Sequence, residues 1–343
     1  MIEINGAGPA GLAAAIDIAN SDYEVCVYEK QKEVGSRFAG SYQFMFIPGS
    51  NTDARFFLRT FLPNPILKKM FLVPIHTIKI STMSKTIEFY SIKPVFWTIK
   101  RGSSNDALDT ALLNTAKSKG VKVKFGSTCD SPLIDATGGK IPKGIAREFI
   151  FDTDIDDVFH IIMDKRLAPG GYAYLCVINK KATLCVAVTK QMEKIVDYAN
   201  ECLQVFKEVY GLEMKNIHVQ TNYVSFEIKD SYIDDSVCVG ECAGLQDGLF
   251  GFGMWYAITS GQLAAQSLIN DFDYDKSAKA LFLPLLKTGR VNRYFYEFFE
   301  TFFGNVFYNV LLDFSKRKKI KNLFKQLTEP SLIKLWIYDF IGD

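Results

Sequence analysis

The first thirty residues, MIEINGAGPAGLAAAIDIANSDYEVCVYEK, constrain this chain more than any other stretch. A short apolar strand, Ile2 to Asn5, runs into the turn Gly6-Ala7-Gly8-Pro9-Ala10-Gly11. An alanine-rich helix to about Asn20 follows, then a second strand, Glu24 to Tyr28, which ends in Glu29 and Lys30. This order is the dinucleotide-binding βαβ pattern. Gly6 permits the tight turn, Gly8 lets backbone N–H groups approach a pyrophosphate, and Gly11 lets helix and strand pack closely. Pro9 and Ala10 open the helix, whose N-terminus favours phosphate charge. Glu29 lies 18 residues after Gly11, where a carboxylate can accept hydrogen bonds from a ribose. A strand that starts at residue 1 leaves no room for a signal or transit segment before it, so a cytoplasmic protein is expected.

A chain of 343 residues can bury a large core and accommodates two intertwined domains. With 48% apolar and 23% charged residues it reads as globular, and a net charge of +2 gives no reason to expect nucleic acid. Seven scattered cysteines and three histidines form no ligand cluster in sequence, so reduced thiols and no metal are expected. No run of about 18 apolar residues predicts a membrane span. The unusual content is 28 Phe and 16 Tyr, which implies an aromatic core or an aromatic-lined cavity.

After the opening unit, Gln31 to Ser41 is a polar connection holding Arg37, Phe38 and Ala39, leaving from the end of the sheet where ligands sit. From Tyr42 to Pro94 the βα rhythm stops. Arg55 to Met70 has helical spacing, and Leu72 to Ile80 with Thr86 to Ile92 predicts a hairpin. The first domain then resumes with a strand at Val95 to Ile99. A turn and N-cap at Arg101 to Ser104 lead into a helix with Ala107, Leu108, Ala111, Leu112 and Ala116 on one face. Two short strands, Val121 to Phe125 and Pro132 to Ala136, lead to Asp135-Ala136-Thr137-Gly138-Gly139. Such a small-residue stop lets backbone lie against a planar or phosphate-bearing ligand.

A second excursion, Lys140 to Asp235, predicts a hairpin about Asn179-Lys180-Lys181, a helix from Met192 to Tyr210 capped by Gly211, and a long strand from Ile217 to Ile228. The chain returns with a strand at Val237 to Val239, then Gly240-Glu241, a glycine loop from Gly244 to Gly253 containing Gly251, and a helix from Met254. That aims a second helix N-terminus at the ligand, where it suits a group that becomes anionic on reduction. The tail is helical and aromatic, with a stripe from Val291 to Phe303, and is read as a cover over the substrate domain. Its basic run, Lys316 to Lys321, reads either as a solvated helix face or as a patch on anionic lipid.

The expected architecture is therefore α/β, α+β overall: a Rossmann-like domain from 1–45, 95–139 and 236–270, an antiparallel-sheet substrate domain from 46–94 and 140–235, and a helical region from 271–343. Three separated motifs, Gly6-x-Gly8-x-x-Gly11 with Glu29, Asp135-Ala136-Thr137-Gly138, and Gly240-Glu241-Cys242-Ala243-Gly244 with its loop and helix, resemble FAD-binding proteins of the para-hydroxybenzoate hydroxylase fold. Within that fold, Pro169-Gly170-Gly171-Tyr172-Ala173-Tyr174 and Gly251-Phe252-Gly253-Met254-Trp255-Tyr256-Ala257 look most like the geranylgeranyl reductase family. The resemblance covers about residues 1 to 270. The family's cysteine after the second strand is absent, the stretch reading Arg37-Phe38-Ala39-Gly40, and its Gly-Asp is Gly240-Glu241.

The resemblance implies FAD, with Ala10 and Glu29 at the ADP half, Phe38 and Ala39 near the flavin, Arg101 and Glu241 along the ribityl and phosphate chain, and Gly253 and Met254 offering N–H groups to the ring. It implies reduction of C=C bonds in an apolar isoprenoid or lipid substrate, with electrons from an external donor such as NAD(P)H or a ferredoxin. Tyr42, Tyr174, Tyr256 and Asp247 are the candidate proton donors. Two alternatives stand beside this reading: an aromatic monooxygenase, and a non-catalytic flavoprotein that binds lipid or a membrane partner. The Trp-x-Trp-x-Ile-Pro stretch of a halogenase is not found.

Overall fold

The computed structural model describes residues 1–48, 53–317 and 320–342, with the side chains at 316–321 and 323 left outside the description. The basic run at 316–321 therefore lies outside the described side chains. Strand Ile2–Asn5 is central in a five-stranded parallel sheet ordered Val237–Cys238, Ile134–Asp135, Ile2–Asn5, Val25–Glu29, Lys122–Phe125. Its neighbours on both sides run parallel to it, Ile4 pairing with Val27 and Ile134. One face of this strand is apolar, with Ile4 and its register partner Val27 fully buried, while the other carries Glu3 and Asn5, which hydrogen-bond to Tyr28 Oη and to the Cys129 backbone. Helices Pro9–Ile18, Leu108–Ser118 and Met254–Asn270 flank this sheet. The result is a Rossmann-like α/β unit, as the glycine pattern predicts.

A seven-stranded sheet forms the second layer, ordered Lys215–Val224, Gly144–Asp152, Lys181–Val188, Tyr172–Ile178, Val158–Ile162, Thr77–Ser81, Thr86–Tyr90. All its neighbours are antiparallel except Val158–Ile162 beside Thr77–Ser81. Asn179 and Lys180 make the tight turn expected between two of its strands, at φ 52 and 63. Helix Ile195–Tyr210 covers one face, burying Ile195, Ala199, Cys202 and Phe206, and Gly211 ends it at φ 61. The other face carries an aromatic cluster that includes Phe44, Phe96, Phe159 and Tyr174.

Several expectations are corrected. Phe96–Lys100 does not join the parallel sheet. It pairs antiparallel with Tyr42–Met45 and Leu72–Ile75 in a separate three-stranded sheet. Arg55 to Met70 splits into helices Ala54–Arg59 and Asn64–Leu67, because the two prolines at 63 and 65 cannot continue the first. The helix after Arg101 has Ala107 at its N-cap, with no side-chain cap. Strands Gly144–Asp152 and Val158–Ile162 went unread, since both bury residues on two faces and so show no alternation.

The tail forms helices Tyr274–Phe303, Asn305–Arg317, Ile320–Thr328 and Leu332–Ile341. The rings of the aromatic stripe are not a cover: Phe298, Phe302 and Phe303 are exposed, while Val291 at the start of the stripe turns inward with Leu286 and Glu300. Leu312 and Phe324, from later helices, pack on the aromatic cluster, the Phe324 ring lying 5.1 Å from Phe250 and 6.0 Å from Phe96. No described helix is long and apolar enough to cross a membrane.

Two predictions follow from this packing. Phe206 is fully buried, so Phe206→Ala should cost about 3–5 kcal/mol in denaturant unfolding; a loss well below 1 kcal/mol would contradict the assigned core. His160 is buried between Ser81 Oγ at 2.6 Å and Tyr210 Oη at 2.8 Å. Burial, helped by Lys79, pushes its pKa down to about 4 from 6.5. The unfolded chain then binds this proton first, so the contribution of neutral His160 is complete above the unfolded pKa and is lost as pH falls through the folded one. Relative to His160→Gln, the wild type should lose roughly 3 kcal/mol of unfolding free energy between about pH 7 and pH 4. Parallel pH profiles would contradict this.

Candidate functional site

A cavity of about 500 Å³ opens where the carboxyl ends of the parallel strands meet the seven-stranded sheet. Its nucleotide end is built by glycine geometry. Gly6 sits at φ +98, and a Cβ there would lie 2.4 Å from Ala136 O. A Cβ on Gly11 would lie 2.0 Å from Gly6 O, so Gly11 is a packing residue and does not line the cavity. A Cβ on Gly8, by contrast, meets nothing within 4 Å. Glu29 closes the turn: its Oε2 accepts from Ala7 N at 2.8 Å and its Oε1 from Gln31 N at 2.9 Å.

The three distant motifs converge. A Cβ on Gly240 would lie 2.9 Å from Ala10 Cβ, and one on Gly261 2.1 Å from Ala10 O. Helices Pro9–Ile18 and Met254–Asn270 therefore pack backbone to backbone. Their N-caps, Gly8 and Gly253, carry no side-chain cap and both line the cavity. Two sets of unsatisfied N–H groups thus face one space, an arrangement that accepts anionic or strongly polar oxygens.

Pro9, Ala10, Lys30, Ala136, Thr137, Gly138, Gly251 and Met254 also line the cavity. Thr137 is held by Asp135 Oδ1, to which its N and Oγ1 donate at 3.0 and 2.6 Å. Arg37 Nη1 pairs with Glu241 Oε2 at 2.5 Å. Phe38 lies between two guanidinium groups, Arg37 and Arg101, each 4.9 Å from its ring centroid. Arg101 is buried and fixed by Asp109 through two 2.8 Å bonds, while its Nη1 donates to Gln43 at 2.9 Å. Ala39 and Gly240 stand behind this wall and do not line it.

The candidate proton donors separate. Tyr42 and Tyr256 are buried away from the cavity. Asp247 is a loop cap: its Oδ2 accepts from Leu249 N at 3.2 Å and Phe250 N at 2.5 Å. Burial raises its pKa to about 6, against the opposing pull of those N–H groups. Tyr174 does line the cavity, and its hydroxyl donates to Tyr42 O at 3.1 Å. Sequence reasoning missed Gln43, Phe44, Glu148, Tyr172 and Phe250, which all line it; most belong to strands that were not read. Asp135, Cys238 and Cys242 were not expected to meet, yet their ligand atoms lie within 4.8 Å of one another. At this proximity the Cys242 thiol draws the Cys238 pKa down while its own is raised.

Residues 4–71 match the model of the NAD(P)-binding Rossmann-like domain. No curated protein matches the chain. Among solved structures, a geranylgeranyl bacteriochlorophyll reductase-like protein from Thermoplasma acidophilum is similar over 98% of this chain and 94% of its own, at TM-score 0.69 and 16% identity. A flavin-dependent brominase is similar over 95% and 92%, at TM-score 0.62 and 13% identity. A tryptophan 6-halogenase from Streptomyces toxytricini is similar over 85% and 77%, at TM-score 0.62 and 12% identity. The chain thus has the fold of FAD-dependent oxidoreductases.

The glycine geometry sets a test that separates folding from binding. Gly8→Val should change unfolding free energy by less than about 0.5 kcal/mol, because its side chain enters open space, yet weaken FAD binding at least tenfold. Gly6→Val should lose several kcal/mol of stability. Equal stability losses for the two, or unchanged FAD affinity in Gly8→Val, would contradict the cradle.

Proposed function

We propose that the chain is an FAD-dependent oxidoreductase that reduces C=C bonds of an apolar, prenyl-type substrate. The observation that carries this reading is one continuous cavity with a glycine cradle at one end and aromatic side chains, Phe44, Tyr172, Tyr174, Phe250 and Phe252, at the other. The cradle fits a dinucleotide: two uncapped helix N-termini meet there, and Gly8 leaves the approach open.

In this reading Gly6, Gly8, Ala10 and Glu29 hold the ADP half. Arg101 and Glu241 hold the ribityl and phosphate chain. Phe38, Gly253 and Met254 border the ring, with the Met254 helix terminus favouring negative charge on it. Bound and reduced, FAD supplies the hydride. The protein's own task is to exclude water and lay an apolar chain along the aromatic wall, where burying each methylene contributes about 0.8 kcal/mol. The electrons come from an external donor, a reduced nicotinamide or a ferredoxin-like carrier. Work at a membrane surface through Lys316–Lys321, in an otherwise cytoplasmic protein, belongs to the same proposal.

A second reading, oxygen-dependent chemistry on a small aromatic compound, is favoured by the likeness to the brominase and the tryptophan halogenase. The two separate in one experiment. Under anaerobic conditions, dithionite-reduced, FAD-loaded protein should return to the oxidised flavin spectrum on addition of geranylgeraniol or its diphosphate, with product mass raised by two hydrogens per bond. Reoxidation only when oxygen and an aromatic compound are both present would overturn the reductive reading.

A further inference from the structure

The proposed reduction consumes one proton per double bond, and none of the four residues singled out by sequence is placed to give it freely. Asp247 and two of the tyrosines do not line the cavity, and the Tyr174 hydroxyl is engaged with Tyr42 O. Three carboxyls that sequence reasoning passed over line the cavity, Glu33, Asp109 and Glu148. Glu33 is exposed and Asp109 is paired with Arg101, which leaves Glu148 as the buried one without an ion-pair partner among the described residues. It projects from strand Gly144–Asp152 beside Cys185 on one neighbouring strand and Gln220 on the other. Cys185 in turn opposes Tyr174. A polar row, Gln220, Glu148, Cys185, Tyr174, thus crosses four adjacent strands beneath the aromatic cluster. Glu148 is 4% exposed, with Ser41 Oγ at 2.8 Å from Oε1 and Gln220 Nε2 at 2.6 Å from Oε2.

We propose that Glu148 is the acid that protonates the substrate alkene, an inference that rests on the reductive reading above. A carboxyl buried to this degree, with no ion-pair partner among the described residues, favours its neutral form. Burial raises its pKa, while Gln220, Ser41, Arg101 and Arg37 pull the other way. Both arginines are already neutralised, Arg101 by Asp109 and Arg37 by Glu241. The remaining titratable neighbours, Cys185 and Tyr174, have burial-raised pKa values and stay uncharged.

The alkene π pair forms a C–H bond with the carboxyl proton and the O–H pair stays on Glu148 as carboxylate, while the second carbon would take the hydride that bound, reduced FAD would supply. The two electrons come from the external donor. Positive charge that develops on the second carbon faces the new carboxylate and the rings of Phe44 and Tyr174, which lie 5.0 Å apart on the same wall. Ser41 Oγ can turn from donor to acceptor, so the neutral acid keeps a partner. Gln220 stands on the sheet's edge strand, half-exposed, on the side from which solvent reloads the proton.

The test uses FAD-loaded wild type, Glu148→Gln and Glu148→Asp. At neutral pH the infrared spectrum of the wild type should show a protonated-carboxyl carbonyl band that shifts in deuterium oxide and is missing from Glu148→Gln. FAD content and melting temperature should match across the three proteins. In anaerobic single turnover with geranylgeraniol, flavin reoxidation should slow roughly 10²–10⁴-fold in Glu148→Gln and recover in part in Glu148→Asp. A missing band, or a Glu148→Gln rate equal to wild type, overturns the assignment while leaving the reductive reading intact. A wild type that shows the band yet reduces no prenyl alcohol or diphosphate overturns the reductive reading, and the proton transfer falls with it.

Discussion

Backbone-to-backbone contact between two helices holds this molecule's functional region together. Gly261 lets helix Met254–Asn270 come against the Ala10 carbonyl and the Ala14 N–H, and Gly240 lets the preceding loop pass Ala10. Any side chain at these positions would force the helices apart. Because they touch there, their N-termini emerge side by side at the same end of the parallel sheet. The polarity of both helices is then summed over one small space, which is what makes it a place for a large, partly anionic cofactor. The strand order brings the third participant: Ile134–Asp135 lies between Ile2–Asn5 and Val237–Cys238, so Thr137 and Gly138 arrive at the same rim.

The second layer supplies what the first cannot. A Rossmann-like sheet offers backbone N–H groups and small residues but little apolar surface for a substrate. The seven-stranded sheet presents Tyr172, Tyr174, Cys185 and Ala187 to the cavity and buries its other face under helix Ile195–Tyr210. The aromatic cluster is closed from the far side by Phe324 of the tail. Fixing Arg101 between Asp109 and Gln43 ties helix Leu108–Ser118 of the Rossmann-like unit to the three-stranded sheet, since Arg101 follows the strand that pairs with Tyr42–Met45.

Much of the nucleotide end was legible in the sequence because glycine is read by what its absence of a side chain permits. Gly6, Gly11 and Gly240 each occupy a position where a Cβ would strike a neighbour, the first two recognisable from their spacing and Gly240 from its place at the end of an apolar strand. The hairpin at Asn179-Lys180 and the stripe of helix Ile195–Tyr210 were legible for a similar local reason. The substrate end was not. Gly144–Asp152 buries residues of both parities, so its sequence GIAREFIFD lacks a two-residue period, and nothing in the local pattern singles out Glu148. The partner choice of Phe96–Lys100 depends on residues 42–45 and 72–75, which no local pattern reports. The exposed rings of Phe298, Phe302 and Phe303 show the converse limit: a helical stripe identifies a face without saying whether the fold covers it.

The central claim is that three glycine-bearing segments hold a single dinucleotide. Titrating FAD into the apo-protein while following quenching of flavin fluorescence measures this most directly. The account predicts saturation at one FAD per chain with a yellow, flavin-absorbing product. No quenching at saturating FAD, or binding that survives unchanged when both helix N-termini are blocked by bulky residues at positions 8 and 253, would contradict it.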